Sequence, residues 1–145
     1  MKKVLNISLA AVAVFTLTAC TNSPSTPTIE SSLDVDVKKV CDVKSNGIKT
    51  VLATAKTYNE VAKKENLEFI RLVMKTSQYI SGVENALKTG SNTVDVVNKK
   101  KKKTGEVTKE YAAWRACSFA VRALQQAQEA KTTWKLAAPG HGYEY

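Results

Sequence analysis

The sequence predicts an all-α fold, a small antiparallel helical bundle, and two observations carry that expectation. Apolar residues recur at three- and four-residue spacing along long stretches of the chain, which gathers them on one helical face. The last stretch is rich in alanine and glutamine and, from Val107 onward, holds no Gly or Pro before Pro139.

The chain of 145 residues opens with Met1, Lys2 and Lys3, runs apolar from Val4 to Leu17, and then reads Thr18, Ala19, Cys20. A basic start, a short apolar run and small residues before a cut describe a secretory signal peptide. The run is about 14 residues, whereas a membrane span takes roughly 20. The ending Leu17-Thr18-Ala19-Cys20 resembles the lipobox of bacterial lipoproteins. That resemblance covers the first 20 residues only. It implies cleavage after Ala19, a lipid on the Cys20 sulfur and an acylated new amino terminus, and two or more acyl chains hold a protein stably on a membrane. Thr21 rather than aspartate follows the cysteine; in the enterobacterial pattern this directs a lipoprotein to the outer membrane. The expectation is a signal peptide over 1–19 and a lipid-anchored protein in the bacterial cell envelope, at the outer membrane and facing the periplasm. Residues 20–32 read as a lipidated, flexible tether rich in Ser, Thr and Pro. Its dozen residues reach roughly 35–40 Å when extended.

With Cys20 consumed by lipid, Cys41 and Cys117 are left. An even remainder in an oxidising compartment reads as one disulfide. The bridge would join the first and last helical segments and be worth on the order of 4 kcal/mol.

The helical domain is expected over 33–138. Leu33-x-Val35-x-Val37 alternates like a strand, while Leu33, Val37, Val40 and Cys41 fit a helix. A short helix ending near Gly47 is preferred, because no other convincing strand exists to pair with it. Ile48, Val51, Leu52, Ala55, Tyr58 and Ala62 mark the next helix. Ile70, Val73, Ser77, Ile80, Val83 and Leu87 mark another, stopped by Gly90 after the basic Lys88. The last runs from Thr104 and Val107 to Trp134, with Tyr111, Trp114, Cys117, Val121 and Leu124 as its apolar stripe. Tyr111 and Trp114 are therefore expected in the core. Residues 139–145 read as a flexible tail.

Charge is concentrated in one place. The formal +9 becomes +7 when Lys2 and Lys3 leave with the signal peptide, and all but +2 of that is Lys99, Lys100, Lys101, Lys102 and Lys103. These lysines are expected in a solvated loop that could touch an anionic surface, lipid headgroups or an envelope polymer. Export excludes nuclear targeting and nucleic acid as a partner. Trp134, Tyr143 and Tyr145, near or in the tail, are the expected contacts for a protein partner, since such rings are enriched at interfaces. His141 is the only histidine, and its glycine-flanked tail has nothing to orient it. No ligand set for a metal and no carboxylate pair stand out, so neither a cofactor nor enzymatic activity is expected. The function expected is a non-enzymatic protein-binding module of the inhibitor, immunity or exclusion type. The alternative is a structural envelope lipoprotein contacting lipopolysaccharide or peptidoglycan through the lysine-rich loop.

Overall fold

A computed structural model describes residues 26–71, 74–98 and 100–137. The signal peptide, Cys20 and the tail 139–145 lie outside them. The described chain is mixed α/β, which corrects the all-α expectation: five α-helices are joined through two antiparallel strand pairs.

The amino-terminal segment is helical, as expected, but broken into single turns. A 3-10 turn at Glu30–Ser32 is followed by α1 (Val37–Val40) and α2 (Val43–Asn46). Each short helix starts on an aspartate. Asp36 accepts from Lys38 N–H and Lys39 N–H at 2.9 and 3.2 Å, and Asp42 accepts from Lys44 N–H at 3.1 Å. Such caps satisfy amide donors that a helix start leaves open. Gly47, at φ 76°, ends α2 and begins α3 (Ile48–Lys64), at a backbone angle that favours glycine.

The next helix begins later than its apolar spacing suggests. Ile70–Arg71 (β1) pairs with Met74–Lys75 (β2), Ile70 opposite Lys75 and Arg71 opposite Met74, and α4 runs over Thr76–Thr89. Its start is tied to the preceding loop: Thr76 N–H donates to Phe69 O at 3.0 Å and Ser77 N–H to Glu68 Oε1 at 2.9 Å. Burial works against the Glu68 charge, but hydrogen bonds from Ser77 and Asn59 outweigh it and hold its carboxyl below the usual range. Gly90 closes α4 in the left-handed region at φ 74°.

A second correction concerns the start of the last helix. Thr104 and Val107 belong to a strand: Thr93–Val97 (β3) pairs antiparallel with Lys103–Thr108 (β4) in a β-hairpin, with Lys100, Lys101 and Lys102 in its turn. Thr93, Val94, Val96, Val97, Thr104, Val107 and Thr108 are β-branched and suit a half-buried strand. A helix through this stretch would instead stack Lys99 on Lys103 one turn apart, a repulsive like-charge pair. Val94 faces Val107 and Val96 faces Gly105 on the inward side, while Asp95 faces Glu106 outward. Val94 is buried against Gly82 of α4, where an added Cβ would lie 2.4 Å from Val94 Cγ1.

The last helix, α5 (Lys109–Ala137), is the hub, packed most extensively on α3 and then on α4. Its buried side is made mainly of small residues: Ala112, Ala113, Ala116, Ala120 and Ala123, with Cys117, Val121 and Leu124 among them. Alanines let neighbouring helices approach closely and cost no side-chain entropy. Ala62, late in α3, packs with Ala123 and Leu124, late in the buried part of α5, whereas Tyr79, early in α4, meets Phe119. Helices α3 and α5 therefore run the same way and α4 against both, so the bundle is not simply antiparallel. The Cys41–Cys117 disulfide is present, with 5.6 Å between the two Cα atoms. It ties the turn after α1 to the first half of α5. Two further bonds hold the incoming chain, Gln125 Nε2 donating to Ser32 O and to Val35 O, each at 2.9 Å.

Candidate binding surface

The topology gives the molecule two distinct ends. One holds the starts of α3 and α5, the end of α4 and the base of the hairpin, where Lys109 N–H donates to Asn92 O at 3.0 Å. The other holds the end of α3, the start of α4 and the later part of α5. There Thr26–Glu30 line a shallow depression together with Val61, Lys64, Glu65 and Lys131. The chain therefore enters the domain at this second end.

Near the first end, Tyr111 and Trp114 are each 41 % exposed, which corrects their expected place in the core. The stripe that faces inward is displaced around the helix, onto the alanines. The two rings lie side by side with centroids 5.5 Å apart. Arg115, half-buried, extends from them across three rings: its guanidinium carbon lies 5.6 Å from the Tyr79 centroid, 5.4 Å from Tyr111 and 5.2 Å from Phe119. Arg115 Nη1 also donates to the Tyr111 hydroxyl at 2.6 Å. Among the described residues, no carboxylate lies within ion-pair distance of Arg115 or Arg122. Cation–π contact fixes the guanidinium while leaving other donors of its fork unclaimed. Tyr111, Arg115 and Phe119 stand four residues apart, a spacing visible in the sequence, yet only the whole fold runs that row from the exposed Tyr111 to Phe119 packed on the core.

At the far tip of the hairpin the turn is built rather than loose. Asn98 Oδ1 accepts from Lys100 N–H at 2.9 Å and from Lys102 N–H at 3.0 Å, and Asn98 O accepts from Lys101 N–H at 2.8 Å. Lys101 takes a left-handed backbone at φ 59°. Lys103 belongs to β4 and leaves the cluster: its Nζ lies 2.8 Å from Asp95 Oδ1 and also pairs with Glu106. Hydrogen bonds from Lys103 and Thr93 hold the Glu106 carboxyl below the usual range. Those to Asp95 and Glu106 raise the Lys103 ammonium. Lys100, Lys101 and Lys102 are exposed, while Lys99 lies outside the described residues. Val97 N–H lies 3.4 Å from Met74 Sδ, so the tip sits beside the start of α4, at the end where the chain enters.

The other expected contacts fall outside what the structure describes. Trp134 lies on α5 near its end, and its side chain is outside the described residues, as are Tyr143, Tyr145 and His141. Among the described residues no cluster of His, Cys, Asp or Glu could hold a metal ion, and no helix is long and apolar enough to cross a membrane. No protein-family model, curated protein or solved structure matches this chain.

Proposed function

We propose that the protein is a lipid-anchored, non-enzymatic binding module of the bacterial cell envelope, of the inhibitor, immunity or exclusion type, held at the outer membrane on its periplasmic side. Its contact is a protein partner that meets the Tyr111, Trp114 and Arg115 cluster. The observation that carries this reading is the exposure of two large rings beside an arginine without a carboxylate partner. Trp, Tyr and Arg dominate the energetics of protein interfaces. Here the arginine is already ordered, so less freedom is lost on binding. Its open donors make an acidic side chain on the partner the natural complement.

Photo-crosslinking in cells tests the reading. A photoreactive phenylalanine analogue at Trp114 is expected to give a discrete protein adduct, and the same analogue at exposed Thr57 none. No adduct at 114, or equal adducts at both positions, overturns the protein-binding reading. In the same cells a fatty-acid analogue should label the wild type and not Cys20→Ser. Equal labelling would overturn the anchor.

A further inference from the structure

The geometry points to the lysine-tipped hairpin as a device that orients the domain on its membrane: Lys100, Lys101 and Lys102 dock on the anionic phospholipid headgroups of the leaflet that holds the anchor. The inference rests on the lipid-anchored reading above.

Three observations converge on it. The first is uncompensated charge. Lys103 is taken up by Asp95 and Glu106, and among the described residues no carboxylate lies within ion-pair distance of the three tip lysines. The rest of that end is mixed in sign, with Lys63, Lys64 and Lys131 set against Glu30 and Glu65. Positive charge therefore concentrates at the tip.

Order is the second. Asn98 gathers the amides of Lys100 and Lys102 onto one oxygen, which fixes the turn and the points from which the lysines leave it. A floppy loop would have to be ordered on contact; this one is ordered beforehand.

Placement is the third. The hairpin folds back along α4, its tip beside Met74, and Thr26–Glu30 enter at the same end of the helices. A tether leaving from that end holds the tip near the headgroups at high effective concentration, where contacts weak in solution become effective. A lysine at an anionic membrane surface gains roughly fivefold in binding at moderate salt.

Docking in this way would turn the other end outward. Trp114 lies 17 residues from Lys131 along α5, roughly 25 Å of helix. The tip would thus present Tyr111 and Trp114 away from the membrane.

Amine-labelling kinetics on the full-length acylated protein test this directly. The protein is reconstituted in vesicles of phosphatidylcholine alone or mixed with phosphatidylglycerol, and acetylation of each lysine is followed by peptide mass mapping. Lys100, Lys101 and Lys102 should react about fivefold more slowly on the anionic vesicles and recover in high salt, which screens such contacts. Lys49, Lys88 and Lys109, at the other end, should react equally on both. Equal rates at the tip on the two vesicles would overturn the inference, as would protection spread over both ends. Protection on neutral vesicles by added polyglutamate, to the level seen with anionic lipid, would reassign the tip to an acidic protein and overturn it too. The intact mass is read first. A chain without acyl groups defeats the anchor itself, whereas an acylated chain without tip protection defeats only the orienting role.

Discussion

The α3–α5 core and the β3–β4 hairpin occupy one small domain but are held by different means. The core is helix against helix across alanines, with Val51, Ala55, Val83 and Cys117 at zero exposure and a covalent bridge to the incoming chain. The hairpin has one inward face of a few valines and meets the core chiefly where Val94 lies on Gly82. Its outward face is polar, and Lys103 spans Asp95 and Glu106, two like charges that would otherwise face each other unrelieved. The core spends its side chains on staying folded. The hairpin spends few, which frees its turn to carry exposed lysines.

Removing the bridge should produce the largest effect. It closes a long loop, Cys41 and Cys117 being separated by 76 positions in sequence. Reduction, or Cys41→Ala with Cys117→Ala, should cost about 3–4 kcal/mol and lower Tm by about 10–15 °C. Calorimetry with and without reductant measures this. A shift of only a degree or two would mean that packing alone carries the core.

The seam between the two regions comes next. In an open helix Gly82→Ala would gain about 1 kcal/mol from helix propensity. Here the new methyl meets Val94 Cγ1 at 2.4 Å, on a β-branched side chain with little freedom to turn away. The expected net result is a loss of about 1–2 kcal/mol, seen as a lower urea midpoint. Adding Val94→Ala should relieve part of the loss specific to Gly82→Ala. If Gly82→Ala is stabilising by itself, the hairpin is not seated on α4 as described.

The smallest effect lies within the hairpin, and its sign is diagnostic. Glu106 titrates below its ordinary 4.5, so its contribution is present above that value and is lost as pH falls through the lowered one. Lys103 titrates above its ordinary 10.5, so its share is present below that value and is lost only as pH rises through the raised one. Amide protection in β3 and β4 should therefore hold across neutral pH and weaken in strong acid. In Lys103→Gln the carboxylates of Asp95 and Glu106 repel without a bridge, so acidification should strengthen the hairpin instead. The same acid response in both proteins would mean that Lys103 contributes nothing there.

The candidate surface was only partly legible in the sequence. Lys99–Lys103 stand out as charge whatever the fold, but that Lys103 is neutralised and Lys100, Lys101 and Lys102 lie beside the chain entrance depends on hairpin register and on where α4 begins. Tyr111 and Trp114 fit an inward stripe because spacing defines a face without saying which face is buried. Ala112, Ala113, Ala116 and Ala120 compete for the same inside, and they win because two helices and a disulfide must all reach α5 closely.

By itself the sequence determined what local chemistry controls. The spacing from Ile48 to Ala62 is α3, Gly90 ends α4 because a left-handed residue is needed there, and Cys41 and Cys117 form the pair that is bridged. Only the tertiary structure decided the rest. Valines and threonines around a lysine run form strands once each strand has a partner and an α4 face to cover. Ile70 leaves the helix because its backbone pairs with Lys75 in the β1–β2 ladder. Helix direction, the exposed ring pair and the common end of lysine tip and chain entrance all depend on contacts between residues far apart in sequence. Periodicity within one segment cannot contain that information, because it records which side chains share a face and not what that face will meet.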